Sequence, residues 1–225
     1  MRLKKIFFVI FVATFIALIT ACSNTSTDGI SDPLPATPSH DFPRADMSAY
    51  EIEGDHRFYS VTMAEALLLR EDATFDGIIY FGFPSCPWCQ SAIPNLHAVA
   101  VETEVDVFYV SRRQEIRDEA FEEADATMAW WLNEQIELNW LYEDDEAIRP
   151  NIFVPLVIHL RNGVVVDSHQ STVADHQPLE NDSLPELTQQ QADALQEIYT
   201  TIFSAVASVS PDSCEIVAIE EDGCS

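Results

Sequence analysis

Hydrophobic positions fall into strand-like runs along the middle of the chain. Residues 78–83 form an almost continuous apolar run of strand length, which is typical of a β-strand covered on both faces. Residues 105–110 and 152–160 are further runs of this kind. Asn162 and Gly163 then predict a hairpin turn into residues 164–166. We therefore expect a sheet whose central strand includes residues 78–83.

Helical signals separate these runs. Thr62 and Glu65 have the spacing of a capping box and predict a short helix through residues 67–69. Thr188 and Gln191 form a second box, which opens a helix from about residue 189 to 208. This last helix is expected to pack on the sheet.

The segment between residues 112 and 148 predicts a helical insertion. A long amphipathic helix is indicated by Ala120, Phe121, Ala124, Met128, Trp131, Leu132 and Ile136. Trp140 and Leu141 begin a second short element, and residues 143–146 read as a solvated acidic loop. Trp130, Trp131 and Trp140 either line a client groove or belong to the core.

The N-terminus has the pattern of a signal peptide. Three basic residues within the first five positions precede an uninterrupted apolar stretch, residues 6–19. The uncharged run of about 16 residues is shorter than the roughly 20 that a permanent membrane helix needs. Residues 19–22 resemble the lipobox of bacterial lipoproteins. This resemblance implies cleavage after residue 21, lipidation of Cys22 and a tether to the outer face of a membrane, whereas an ordinary secretory signal or a short anchor helix is the alternative.

Composition divides the remaining chain. Residues 22–47 are rich in Ser, Thr, Asp and Pro, so they predict a flexible tether. Residues 48–210 suffice for one folded domain, and residues 211–225 form a tail that contains two cysteines.

The charge balance excludes one class of partner. The 225 residues include 11 basic and 38 acidic ones, for a net charge of −27. Loss of residues 1–21 removes three cations and no anion, which makes the net charge −30. Nucleic acid is therefore not an expected partner. The acidity favours solubility and identifies no substrate.

The candidate chemistry lies directly after the first apolar run. Cys86 and Cys89 are separated by Pro87 and Trp88, and helical spacing resumes behind them. At a helix N-terminus, unpaired N–H groups and the helix dipole stabilise a thiolate. The pKa of Cys86 is therefore expected to fall from about 8.5 towards 7 or lower, which favours disulfide exchange. Half of a zinc site and a purely stabilising disulfide are the alternatives.

Together with two prolines, the Cys-x-x-Cys motif resembles the thioredoxin superfamily. Pro94 falls where the active-site helix of thioredoxins is kinked, and Pro155 and Gly163 have the spacing of the superfamily's cis-proline and turn glycine. The implied fold is α/β and thioredoxin-like, a central mixed sheet flanked by helices, with the helical insertion before the cis-proline strand. An edge-strand proline is the alternative for Pro155.

The resemblance also implies roles for the site residues. Cys86 would be the attacking sulfur and Cys89 the resolving sulfur, and the two would form a redox-active disulfide. Val154 and Pro155 would dock the client, beside Pro87 and Trp88. No metal or other cofactor is implied.

Two departures from the superfamily pattern concern the same site. Thioredoxin and protein disulfide isomerase keep a buried Asp or Glu six residues before the first cysteine, and here that position is Tyr80. A tyrosine with a pKa near 10 is a poor base at neutral pH. The dipeptide of Pro87 and Trp88 places no imidazolium beside the thiolate.

Two further cysteines lie in the tail. With Cys22 lipidated and Cys86 paired with Cys89, counting leaves Cys214 and Cys224 for each other. Their disulfide either staples the tail or exchanges electrons with Cys86.

Residues 81–89, followed by Pro94, look most like the bacteriocin-transport accessory group of Gram-positive bacteria. We therefore expect a membrane-tethered, extracytoplasmic thiol–disulfide oxidoreductase. Its partners would be cysteine-containing exported proteins or peptides and a redox partner protein. A non-catalytic scaffold lipoprotein that assists secretion is the alternative, and the coexistence of Cys86, Cys89 and Pro155 favours catalysis.

Overall fold

The computed structural model describes residues 41–113, 118–136, 138, 141–143 and 148–207. Its strands are β1 (Phe58–Val61), β2 (Asp76–Gly82), β3 (Val107–Ser111), β4 (Leu141–Glu143), β5 (Ile148–Pro150), β6 (Leu156–Arg161) and β7 (Val164–Gln170). Its helices are α1 (Met63–Glu71), α2 (Pro87–Glu102), α3 (Glu119–Ile136) and α4 (Gln189–Ala207), with a 3-10 turn at Ser48–Tyr50. Strands and helices alternate from β1 to α3, and four strands and the last helix follow, which confirms the α/β class.

Five strands form one mixed sheet in the order β1-β3-β2-β6-β7. The pairs β1–β3 and β2–β3 are parallel, whereas β6 runs antiparallel to both β2 and β7. A separate antiparallel hairpin joins β4 to β5. The central mixed sheet with helices around it is the predicted thioredoxin-like fold.

Both faces of the sheet are covered, as the apolar run in β2 predicts. Ile78 and Tyr80 point into a core shared with α2 and α4. Ile79 and Phe81 point into the opposite core, shared with α1 and α3. Side chains alternate between faces along a strand, so this one strand supplies both cores.

The predicted helix starts and the hairpin turn are confirmed. Thr62 and Glu65 form a reciprocal capping box, and Thr188 and Gln191 exchange the same pair of hydrogen bonds. The turn between β6 and β7 needs Gly163, whose φ is +75° and whose missing Cβ would lie 2.9 Å from the carbonyl oxygen of Arg70.

The folded domain begins earlier than the predicted end of the tether at residue 47. Arg44 bridges to Tyr59 on the edge strand β1, and the backbone N–H of Ala45 donates to the carbonyl of Phe58. Ala45 and Met47 are buried in the core beside α2. Residues 41–47 therefore cover the edge of the sheet, which would otherwise present unpaired backbone groups.

Helix α3 and the β4–β5 hairpin occupy the segment in which a helical insertion is predicted. Phe121 and Met128 of α3 pack in the core under α1, so this helix is a regular layer of the fold. Trp131 packs partly against that core, whereas Trp130 is 53% exposed. Trp140 and the acidic residues 144–146 lie outside the described residues. Leu141 belongs to the β4–β5 hairpin.

Among the described helices, none is both long and apolar enough to cross a membrane. The predicted signal peptide, Cys22 and residues 22–40 of the tether lie outside the described residues, so they stay predictions.

Candidate active site

The site is built at the junction of β2 and α2. The strand ends at Gly82, and after three residues Cys86 occupies the N-cap of α2 with Pro87 at the first helical position. Proline suits this position because its missing N–H would have no partner in the helix anyway. Cys89 lies one turn into the helix and is completely buried, whereas Cys86 retains 8% exposure. Both are present as free thiols, so their predicted disulfide stays a prediction.

The surroundings of Cys86 stabilise its thiolate. A hydrogen bond from the Cys89 thiol is the largest influence, and it lowers the pKa of Cys86 to about 6 together with the backbone N–H groups of Cys89 and Trp88. The positive charge of Arg113 acts in the same direction, whereas partial burial opposes it. The lowered pKa agrees with the prediction made from the position of Cys86 at a helix N-terminus.

Cys89 has the opposite environment. Its hydrogen bond to Cys86 and its burial raise its pKa far above the ordinary range of a thiol, although the Tyr80 hydroxyl and the backbone of Phe83 act against this. At neutral pH one sulfur of the motif is thus mostly a thiolate and the other a thiol. The pair has the asymmetry that an attacking and a resolving sulfur require.

The predicted cis-proline faces this pair. The peptide bond between Val154 and Pro155 is cis, and Cys86 Sγ lies 3.9 Å from the carbonyl oxygen of Val154. Pro155 itself is buried and directly precedes β6, so it is not an edge-strand proline. The structure therefore brings Cys86, Cys89, Val154 and Pro155 together.

Arg112 fixes the segment that leads to the cis-proline, a role that the sequence did not indicate. Its guanidinium donates to both carboxylate oxygens of Asp125 on α3, at 2.9 and 2.5 Å. It also donates to Asn151 at 3.0 Å and to the carbonyl of Ile152. A largely buried arginine with these partners ties α3 to the residues just before Val154.

Trp88 is held from one side by a loop that the sequence did not connect with the site. Its ring centroid lies 5.2 Å from that of His176, in the loop between β7 and α4. His176 is buried, and its ring nitrogens bond to the Thr172 hydroxyl and the Pro185 carbonyl, each at 2.8 Å. One side of Trp88 is therefore packed within the protein, and its contact with a client stays a prediction. Pro87 is exposed.

An open cavity of about 610 Å³ lies beside the motif, between the first turns of α2 and residues 184–187. Its lining includes Ser85, Pro87, Gln90 and Glu186. Nothing in its lining selects a particular ligand.

One described arginine lies near the sulfur of Cys86. Arg113 follows β3, donates from Nη1 to Ser85 Oγ at 2.7 Å, and lies with its guanidinium carbon 4.8 Å from the centre of the Phe83 ring. These two contacts hold a positive charge next to Cys86 in a strongly acidic protein.

Tyr80 occupies the position beneath the sulfurs at which the superfamily has a carboxylate. It is completely buried, and its hydroxyl makes no hydrogen bond of good geometry. Burial, and then the nearby Cys89, raise its pKa well above the ordinary value of tyrosine. Tyr80 is therefore a neutral phenol at physiological pH and does not replace the carboxylate as a base.

The end of α4 is bound to the Asp76 end of β2, because Arg161 donates to the carbonyl of Ala205 at 2.6 Å and is the register partner of Asp76. Cys214 and Cys224 lie outside the described residues, so their disulfide and its role stay predictions.

Within the described residues, no group of three or more His, Cys, Asp or Glu side chains is arranged to hold a metal ion.

Comparisons with known proteins give only distant matches. No protein-family model matches the sequence, and no curated protein is similar to it. Among solved structures, thioredoxin from Aeropyrum pernix is 17% identical, with a TM-score of 0.32, over 49% of this chain and 73% of that one. Thioredoxin O2 from Arabidopsis thaliana in its oxidised state is 15% identical, with a TM-score of 0.32, over 54% and 89%.

A third structure, a putative oxidoreductase with a thioredoxin fold, is 11% identical, with a TM-score of 0.30, over 50% of this chain and 82% of that one. Similarity at this level carries no argument about activity or partners. The activity must therefore be inferred from the geometry of the site itself.

Proposed function

We propose that this chain is a thiol–disulfide oxidoreductase that acts through Cys86 and Cys89. The observation that carries the proposal is the asymmetry of the two sulfurs. Cys86, with its pKa lowered to about 6, faces the carbonyl of Val154, whereas Cys89 is buried and protonated. A structural disulfide does not need a stabilised thiolate on its outer sulfur.

The exchange then has two steps. The Cys86 thiolate attacks one sulfur of a client disulfide, so that a Cys86–client disulfide forms and the other client sulfur leaves as a thiolate. Cys89 loses its proton and attacks Cys86 Sγ. The Cys86–Cys89 disulfide forms, and the second client sulfur leaves and takes up a proton. The client gains two electrons and the protein loses two, and the same steps in reverse oxidise a client dithiol.

The client's chain is proposed to lie along the cis-proline segment. The carbonyl of Val154 is 3.9 Å from Cys86 Sγ, so a backbone that pairs with Val154 presents its cysteine to the attacking sulfur. Phe153 is 37% exposed next to it and offers an apolar contact. Pro87 and part of Trp88 border the same sulfur.

We further propose that the protein works outside the cytoplasm, tethered by a lipid on Cys22. The support is the sequence of the first 22 residues, which resembles a lipoprotein signal. In this setting the clients are cysteine-containing exported proteins or peptides, as the resemblance to the bacteriocin-transport accessory group implies, and a further redox protein would regenerate the pair. Replacing Cys22 with Ser should release the chain from the membrane fraction and abolish labelling by a fatty-acid analogue.

A trapping experiment tests the activity. In the variant Cys89→Ser the attacking sulfur remains but the resolving one is gone, so mixed disulfides with clients should accumulate. The matched control is Cys86→Ser, which keeps the buried thiol and should trap nothing. If the two variants capture the same proteins in the same amounts, Cys86 is not an exchange nucleophile and the non-catalytic scaffold is favoured instead.

A further inference from the structure

Cys89 is surrounded by phenol side chains. Tyr80 stacks on Tyr109 with ring centroids 5.6 Å apart, and the Tyr50 and Tyr109 hydroxyls are 3.4 Å apart. Tyr50, Tyr80, Tyr109 and Tyr199 all belong to the buried cluster that contains Cys89. Two hydroxyls in this cluster, those of Tyr80 and Tyr199, are buried without a hydrogen-bond partner.

The Tyr80 hydroxyl is directed towards the sulfurs along its own strand. A Cβ atom at Gly82, two residues further on and on the same face, would lie 2.3 Å from this hydroxyl. Gly82 therefore leaves the space that the tip of Tyr80 fills. Because β2 ends at Gly82 and leads into the motif, the hydroxyl lies at the active-site end of the sheet, and it lowers the pKa of Cys89.

The proposed exchange places a negative charge at this point. Cys89 must become a thiolate to resolve a mixed disulfide, and it leaves as a thiolate when a client attacks the Cys86–Cys89 disulfide. Asp76, the only acidic residue of β2, lies at the opposite end of the strand and is bound there to His159 and Arg161. Because Cys89 is buried, a negative charge on its sulfur needs a hydrogen-bond donor close by. The unpaired buried hydroxyl of Tyr80 is such a donor.

We propose that Tyr80 stabilises the Cys89 thiolate by donating a hydrogen bond to it, in place of a buried carboxylate. The inference rests on the proposed function and adds a catalytic residue to it. The Cys89 proton itself leaves to water or to the departing client sulfur, because Tyr80 stays a phenol. In the resolving step the Cys89 thiolate attacks Cys86 Sγ, the Cys86–client bond breaks, and the client thiolate takes up a proton. Tyr80 donates throughout and is neither oxidised nor reduced.

The two steps can be separated with the chromogenic disulfide dithiobis(nitrobenzoic acid). Attack by Cys86 releases one coloured thiolate and leaves a mixed disulfide, and attack by Cys89 on that disulfide releases a second. The full chain is used with serine at three other positions, Cys22, Cys214 and Cys224, so that only the motif reacts. Adding Cys89→Ser should abolish the second phase, which assigns the two phases.

The test variant is Tyr80→Phe, which keeps the ring and deletes an unpaired hydroxyl. We expect the first phase to be unchanged and the second to slow about tenfold, because hydrogen bonds to charged groups are among the stronger ones. The matched control is Tyr199→Phe, which deletes the other buried unpaired hydroxyl near Cys89 and should leave both phases unchanged. Gly82→Ala moves the Tyr80 hydroxyl instead of deleting it, and it should also slow the second phase.

The outcomes distinguish this inference from the proposed function. An unchanged second phase in Tyr80→Phe, or an equal slowing in Tyr199→Phe, overturns the role of Tyr80 while the reactivity of Cys86 stands. Failure of the unaltered motif to show a fast first phase overturns the proposed function itself, and the inference with it.

Discussion

Strand β2 begins at Asp76 and ends at Gly82, and the fold treats the polar groups at its two ends differently. At the start, the carboxylate of Asp76 accepts from His159 at 2.6 Å and from Arg161 at 2.8 Å. At the end, the Tyr80 hydroxyl is buried without a partner, and Cys86 carries a stabilised thiolate. The paired carboxylate of Asp76 joins β2 to β6, whereas the end that leads to Cys86 has an unpaired hydroxyl and a thiolate that are free to react.

The difference has a physical cause. A buried polar group without a partner costs about 1 to 3 kcal/mol, so a fold keeps one only where something else compensates. Around Tyr80 that compensation comes from the aromatic packing of a core on which both α2 and α4 lie. At the Asp76 end, the ion pair between Asp76 and Arg161 joins β2 to β6, and a hydrogen bond from Arg161 to the carbonyl of Ala205 adds the last turn of α4.

The largest expected effect is on stability, at the Asp76 end of β2. The change Asp76→Ala leaves His159 buried and Arg161 without its carboxylate, so the free energy of unfolding should fall by about 3 kcal/mol. Urea denaturation measures this loss. The control is Asp106→Ala, which breaks the half-exposed pair with Arg57 near the sheet edge and should cost less than about 1 kcal/mol. At urea concentrations well below the midpoint of unfolding, both variants should have normal exchange activity. A loss of activity in Asp76→Ala alone would mean that the contacts of Asp76 also affect the active site at the other end of β2.

The second prediction concerns the hydrogen bond between the sulfurs. In Cys89→Ala the largest stabilising influence on the Cys86 thiolate is gone, so the pKa of Cys86 should rise from about 6 towards the ordinary value near 8.5. Cys89→Ser keeps a donor and should show a smaller rise. Ultraviolet absorbance of the thiolate as a function of pH measures both values. Equal pKa values in the two variants would mean that the helix N-terminus alone accounts for the effect.

The smallest effect is expected from Arg113. Its charge is exposed to solvent and screened, so Arg113→Gln should raise the pKa of Cys86 by less than one unit, and the difference should shrink in high salt. Arg44→Gln is the control, because Arg44 stacks on Tyr59 in the same manner but belongs to the edge of the sheet. If Arg44→Gln raised the pKa of Cys86 by a similar amount, the effect would come from the net charge of the protein and not from the position of Arg113.

Local sequence signals predicted most of the fold. The apolar run of β2, the two capping boxes and the turn at Gly163 each depend on neighbours within a few residues, and all are confirmed. The position of Cys86 at a helix start follows from the same local logic, and the cis bond before Pro155 was implied by the superfamily spacing.

The parts that the sequence did not reveal depend on contacts between distant residues. His176 reaches Trp88 from a loop without hydrophobic periodicity, and Arg112 joins α3 to the segment before Val154. Residues 41–47 have a composition typical of a tether, yet they pack on β1 through backbone hydrogen bonds that composition does not report. Nothing local distinguishes these residues from ordinary surface positions.

The most direct test of the central claim is the pH dependence of alkylation of the two thiols in the reduced protein, followed residue by residue by mass spectrometry. Only the thiolate reacts, so each rate rises with pH and levels off above the pKa of that sulfur. The account predicts that the rate at Cys86 is half-maximal near pH 6, while Cys89 reacts slowly at every pH up to 9. Equal rates at the two sulfurs, both half-maximal near the ordinary thiol pKa of about 8.5, would contradict it.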